Sequence, residues 1–258
     1  MTSLAASTWW MTHRRLQAIA KQPWVLVMTL VQPMIWLFLF GNLFRKITEL
    51  PGFGAVSYLD YLVPGVVAMS AVSSSMWTGM GLLEEIDRGT LNRFLITPVR
   101  RSAIMNAGVI EQAFSTSVQS ILIIGLGLLG GATYPGGGAG IVILVASAVC
   151  VGTIFSALSN IIGILIRQRE SIIGLSIFLL LPLTFLSSAF MPKELMPGWI
   201  RTVASANPVN WSLEASRAAL TTHPDWGSVA IWSGALLGLA TIAVLASTRT
   251  FRSYQKSI

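Results

Sequence analysis

Six predominantly apolar stretches, 24–44, 59–83, 104–131, 140–166, 171–190 and 228–247, fill most of this 258-residue chain. A helix crossing ~30 Å of hydrocarbon needs about 20 residues, and each stretch is long enough. The expected fold class is therefore an all-α integral membrane protein with six transmembrane helices. Composition agrees. Only 10% of the residues are charged and 53% are hydrophobic, where a soluble domain has about 25% charged residues. The mean hydropathy is +0.70. Apolar surface on that scale exceeds what one soluble core of this length can hide.

The net charge of +7 sits at the ends of the apolar runs and forms no recurring basic helix face. It reads as a topology signal, and nucleic acid is not an expected partner. Six spans place both termini on one side. That side holds Arg14, Arg15, Lys21, Arg88, Arg93, Arg100, Arg101, Arg167, Arg169, Arg249, Arg252 and Lys256; the other holds Arg45, Lys46, Lys193, Arg201 and Arg217. The excess of basic residues predicts a multi-pass plasma-membrane protein with both termini cytoplasmic. The single cysteine, Cys150, lies inside an apolar run and makes neither an internal disulfide nor a metal site. His13 and His223 show no zinc or triad spacing, so no metal is expected.

Three segments outside the spans carry patterns of their own. Residues 3–22 combine Trp9, Trp10, Leu16 and Ile19 with His13, Arg14, Arg15 and Lys21. They are too polar for a span and predict an amphipathic helix in the interface. The apolar run after it begins only at residue 24 and lacks a small-residue cleavage site, so no cleaved signal peptide is expected. Residues 84–101 hold 7 of the chain's 27 charged residues, yet Leu91, Phe94 and Leu95 form an apolar stripe on a short helix. Such a stripe fits a groove on a partner protein, and it fits equally a helix resting on the membrane surface. Residues 191–227 are long for a structureless loop. Pro197 can begin one short helix and Asn207-Pro208 can cap and begin another. These two read as helices dipping back into the outer leaflet.

The chemistry of a pump is missing. No glycine is followed by lysine, so there is no phosphate-binding loop for ATP, and no enzymatic activity is expected of this chain. The intramembrane acid Glu111, near the cytoplasmic headgroups, is the one candidate for a proton site, and no second acid or histidine continues a relay. A proton-coupled secondary transporter using Glu111 is one alternative function. A non-transporting sensor or scaffold is another.

Three places resemble type-2 ABC exporter permeases, and within them the daunorubicin-resistance type. They are Glu85, Gly89, Thr90, Leu95, Thr97 and Pro98 after the second span; Leu186 to Pro192 followed by Leu195 to Trp199; and Asn207 to Trp211 with Glu214 and Arg217 downstream. The resemblance covers nearly the whole chain. It implies a permease that pairs with a second permease, identical or a sister chain, above two separate ATPase subunits. ATP and Mg²⁺ would bind in those partners, and no cofactor in this chain. It makes 84–103 a cytoplasmic coupling segment in which Glu85, Arg88, Gly89, Thr90, Leu91, Phe94, Leu95, Thr97 and Pro98 dock on the ATPase. Asn92 departs from the carboxylate frequent there, which puts an ion pair at that point in doubt.

The second and fifth spans, which the resemblance places near the dimer seam, carry small hydroxyls. Ser70, Ser73, Ser74, Thr78, Thr184, Ser187 and Ser188 are candidates for a substrate path, with close helix packing the competing role. Pro182 should kink the fifth span. Gly234 and Gly238 in the sixth suggest packing within the chain. The outer segment is marked by Pro192, Pro197, Trp199, Asn207, Pro208 and Trp211. The whole reads as one transmembrane domain over 1–258, with an interfacial helix at 1–23, the re-entrant segment at 191–227 and a cytoplasmic tail at 248–258. The expected function is export of an amphipathic drug, lipid or secondary metabolite.

Overall fold

The computed structural model describes residues 23–49, 57–87 and 101–255, together with positions 9, 10, 12, 13 and 17. Most of the predicted interfacial helix and all of 88–100 lie outside the described residues. Every regular element described is helical: α1 Pro23–Ile35, α2 Tyr58–Met76, α3 Thr78–Asp87, α4 Arg101–Leu129, α5 Gly137–Ile166, α6 Arg169–Phe185, α7 Gly198–Ala206, α8 Pro208–Leu220 and α9 Trp226–Gln255. Four of the described helical stretches are long and apolar enough to cross a membrane: Tyr58–Glu84, Ala107–Leu129, Gly137–Ile166 and Trp226–Phe251.

The first and fifth predicted spans take shorter forms. α1 passes into a π-helical segment, Trp36–Phe40, and a last turn, Gly41–Leu43. Pro33 inside α1 removes one main-chain donor just upstream. α6 is 17 residues long and stops at Phe185 rather than 190. Pro182 lies in its last turn, and the chain leaves the helix through residues 186–192. The second span breaks at Trp77, which separates α2 from α3.

α5 is the mast of the bundle. It packs against α2, α3, α4, α6, α8 and α9. Two close approaches set its position. A Cβ on Gly79 of α3 would fall on the Ser159 carbonyl of α5, and one on Gly163 would lie 2.9 Å from the Gly79 carbonyl. At the start of α5, Gly136 and Gly140 meet the Ala219 carbonyl of α8 in the same way. Ser159 also closes the break at Trp77: its hydroxyl donates to the Met76 carbonyl and accepts from the Gly79 N–H. Ser176 of α6 adds a longer bond to the same Met76 carbonyl, 3.4 Å.

The two ends of the bundle differ. At the proximal end α5 reverses into α6 through Arg167, in the left-handed region at φ 55°. There Arg169 bridges to Asp87 at 3.1 Å, tying the start of α6 to the end of α3. At the distal end Trp36, Phe40 and Phe190 meet with ring centroids 4.4–5.9 Å apart, and Phe44, Tyr58 and Phe185 extend the cluster. The turn between α4 and α5 is pinned to α2 there, with Thr133 donating twice to the Asp60 carboxylate at 2.6 and 3.0 Å. Gly234 and Gly238 do not pack within the chain as the sequence suggests. Both are exposed on α9, with open space where a Cβ would stand.

The glycine contact makes a sharp expectation. Gly79→Val forces α3 off α5, and overpacking of this kind costs roughly 1–3 kcal/mol. Gly81→Ala, in open space, changes stability little and in a helix is favoured by propensity. Thermal unfolding of the two purified variants should show a clear fall in midpoint for the first alone.

Candidate functional site

Three helices each give one face to a small open groove. From α2 come Val66, Met69, Ser70 and Ser73; from α6 Leu180 and Thr184; from α1 Gln32 and, at the start of the π segment, Trp36. The spacings i, i+3, i+4, i+7 and i, i+4 are those of a single helix face. Among the described residues, no charged side chain lines the groove. Its polar atoms are three hydroxyls and one amide, set between aliphatic walls and an indole. Such a lining suits a ligand that is mostly apolar with a few neutral hydrogen-bonding groups.

The structure thus brings together Ser70, Ser73 and Thr184 of the candidate path residues. It turns the others elsewhere. The Ser74 hydroxyl donates to the Ala71 carbonyl at 3.2 Å, and Thr78 to the Ser75 carbonyl at 2.6 Å. Ser187 donates to the Thr184 carbonyl at 2.6 Å. Ser188 belongs to a distal cluster described below. Ser75 faces α4, where its hydroxyl accepts from the Gln112 amide at 2.9 Å. Gln112 also reaches Thr116 at 3.1 Å, and Gln119 reaches the Thr29 carbonyl of α1 at 3.4 Å. This buried polar seam was missed in the sequence, although Gln112, Thr116 and Gln119 at i, i+4, i+7 are a readable signal. Glu111 is half-buried on α4.

Beyond the distal end of α6, the non-helical stretch 186–192 is held by side chains of α8. Asn207 caps α8, accepting from the Val209 N–H, while its amide donates to the carbonyls of Leu183 at 2.7 Å and Leu186 at 3.0 Å. The Asn210 oxygen accepts from Ser188 N–H at 3.1 Å and Ser188 Oγ at 2.7 Å. Arg217 donates to Ser188 Oγ at 3.0 Å, to the Tyr61 carbonyl at 3.1 Å and more weakly to the Ala189 carbonyl at 3.5 Å. Its guanidinium lies 3.6 Å from the centre of the Tyr61 ring. The Tyr61 hydroxyl donates to the Ser188 carbonyl at 2.6 Å. Gly65 makes this approach possible, because a Cβ there would lie 2.5 Å from the Ala189 carbonyl. Among the described residues, no carboxylate is hydrogen-bonded to Arg217. Glu214, one turn before it, is taken by Lys193 at 2.8 Å.

The remaining outer residues surround this core. Pro192 is buried and Pro197 precedes α7 as its N-cap. Trp199 is exposed on α7. Pro208 opens α8, and Trp211 donates to the Ser205 carbonyl at 2.7 Å and stacks on Trp232 of α9 at 6.4 Å. Asp225 starts α9, where the Ser228 hydroxyl and N–H hold its carboxyl below the usual range. Of the expected coupling residues, Glu85 lies in the last turn of α3. Arg88, Gly89, Thr90, Leu91, Phe94, Leu95, Thr97 and Pro98 lie outside the described residues.

Four of the described helical stretches are long and apolar enough to cross a membrane, and comparison with known proteins gives the class of the chain. Residues 6–221 match the family described as ABC-2 type transporter. The chain belongs to that family: it is a multi-pass ABC permease, a class that works with ATPase partner subunits. It is 29% identical over 253 residues to a daunorubicin resistance ABC transporter permease protein, DrrB1 of Streptomyces coeruleorubidus, covering 94% of this chain and 86% of the relative. It is 28% identical to the putative transport permease ycf38 of Cyanophora paradoxa, over 88% of this chain and 76% of the relative. A probable doxorubicin resistance ABC transporter permease protein, DrrC of Mycobacterium tuberculosis, is 23% identical over 82% of this chain and 76% of its own length.

The double duty of Asn207 has a measurable consequence. Asn207→Ala loses the cap and leaves the Leu183 and Leu186 carbonyls without their donor, a cost of roughly 2–4 kcal/mol. Asn207→Asp keeps the cap but aims a carboxylate at the same two carbonyls, and is expected to be at least as damaging. Unfolding midpoints of the two variants check this; an aspartate variant as stable as the parent would show that capping alone is what matters.

Proposed function

We propose that this chain is the permease subunit of an ATP-driven exporter that carries an amphipathic drug, lipid or secondary metabolite outward across the plasma membrane. The observation that carries the reading is the groove, whose apolar walls and neutral hydroxyls suit cargo of that kind. Relatives named for resistance to daunorubicin and doxorubicin support it.

In this reading six spans cross the membrane, α1 with its π extension and α6 completing the four longer ones. The distal end faces outward, with α7 and α8 as re-entrant helices, and both termini are cytoplasmic. Residues 84–103 dock on a separate ATPase through Leu91, Phe94 and Leu95, and ATP with Mg²⁺ binds in that partner. A second permease, identical or a sister chain, completes the transporter. ATP-driven movement of the docking segment reaches the groove through α3, which continues into α2 and is tied to α6 by Asp87 and Arg169. The groove's two longer walls, α2 and α6, then change their separation. Arg88, Gly89, Thr90, Thr97 and Pro98 shape and end the docking turn, with Glu85 leading into it.

A mild-detergent pull-down of the chain from its native membrane tests the pairing. A Walker-type ATPase is expected in near-equal amount, with nucleotide hydrolysis in the eluate. Phe94→Asp is expected to leave the chain in the membrane and abolish both recovery of the ATPase and daunorubicin efflux. Ser73→Phe, which fills the groove, is expected to retain the ATPase and lose efflux. Full efflux in both variants, or a chain recovered alone, would overturn the reading. Efflux abolished instead by Glu111→Gln would favour proton coupling.

A further inference from the structure

The groove and the Arg217 cluster are successive levels of the same seam. Groove residues on α2 run from Ser73 to Val66, and Tyr61 lies five residues, roughly 7–8 Å of helix, further toward the distal end. On the other wall Thr184 lines the groove, its carbonyl accepts from Ser187, and Ser188 follows. Arg217 comes from a third element, α8, and bonds both walls at that level: the Tyr61 carbonyl and ring on α2, and Ser188 and Ala189 beyond α6. Ser188 is the knot of the cluster. Its carbonyl accepts from Tyr61, and its hydroxyl lies between Arg217 and Asn210.

Two features show what this contact would lose and gain if the walls part. Among the described residues the hydrogen bonds of the guanidinium go to neutral oxygens, it lies against a ring, and the Glu214 carboxylate acts on it only through space. Two enclosed donors, Arg217 Nε and Asn210 Nδ2, have no acceptor. A buried polar group without a partner is destabilising, and parting of the walls would admit water to both donors. We propose that Arg217 is the exit seal of the groove: it joins α2 to the segment after α6 in this conformation, and must release one of them before cargo can leave at the distal end.

The inference rests on the reading of the groove as the cargo path, but its test needs no transport. In a Cys150→Ala background, Ser70→Cys reports the groove, Ser147→Cys reports the interior of α5, where Ser147 is buried, and exposed Thr222→Cys reports which membrane side the distal end faces. A membrane-impermeant maleimide is applied to that side of the complete transporter in its membrane. With Arg217 intact, Ser70→Cys should label slowly. In Arg217→Gln its rate should rise at least about tenfold, the factor expected from losing one charge-assisted bond, and in Arg217→Lys by less, since lysine keeps the charge but not the fork. Ser147→Cys should stay unlabelled throughout. Equal labelling of Ser70→Cys with and without Arg217 would overturn the proposal, as would a parallel rise at Ser147→Cys, which means a loosened bundle. Should Arg217→Gln fail to reach the membrane, Ser188→Ala carries the same expectation at smaller size. Loss of efflux in Ser73→Phe with no effect of Arg217 on labelling would sink the seal and leave the path standing.

Discussion

Lipid offers no hydrogen bonds, and at two places where this bundle stops being helical a side chain sent from elsewhere in the chain supplies them. At Trp77 the donor and acceptor is Ser159 of α5. After Phe185 it is Asn207, then Asn210, then Arg217, all from α8. These four residues let α2 bend and α6 end early without exposing main chain to hydrocarbon. They also dictate the packing. Ser159 can reach the Gly79 N–H only because residue 79 has no side chain, and Arg217 can reach Ala189 only because Gly65 lets that segment lie on α2. The glycines and the polar side chains are two halves of one requirement.

Most of the helical layout was legible because it follows from apolar runs and a few punctuating residues. The Asn207-Pro208 pair marks the start of α8 at the residue where it occurs, since the cap and the N1 proline are local chemistry. Pro197 marks the start of α7 for the same reason. The breaks were not legible. The run 59–83 is continuous in hydropathy, and its interruption at Trp77 depends on a serine 82 residues later in sequence. The early end of α6 is half legible: Pro182 announces a disturbance, but only the amide of Asn207 permits the chain to leave the helix at Phe185.

The groove followed a similar division. A cluster of hydroxyls on the second apolar run pointed to that helix, and helical periodicity selects Ser70 and Ser73 from it while sending Ser74 and Ser75 to other neighbours. Which face meets α1 and α6 is a tertiary fact. The resemblance named Arg217 but not what it touches. It sits in a stretch of small residues, its principal partners are two main-chain carbonyls, a serine and a ring, and none of those pairings has a sequence signature.

The two walls of the groove are joined at three levels, and the joints are unequal. In the middle both lean on Met76, whose carbonyl takes hydroxyls from α5 and α6. At the proximal end, among the described residues, the tie is the Asp87–Arg169 pair, with both side chains about half exposed; such a pair contributes ~0–1 kcal/mol. At the distal end the guanidinium makes several charge-assisted bonds away from water, each worth roughly 1.5–3 kcal/mol, and stacks on Tyr61 besides. The weak joint is therefore the one beside the segment that continues from Asp87, and the strong joint is remote from it. Force applied at the proximal end separates α3 from α6 before it reaches the Arg217 cluster. In the proposed mechanism the proximal pair therefore parts first, and the distal seal yields only to a displacement carried the full length of α2.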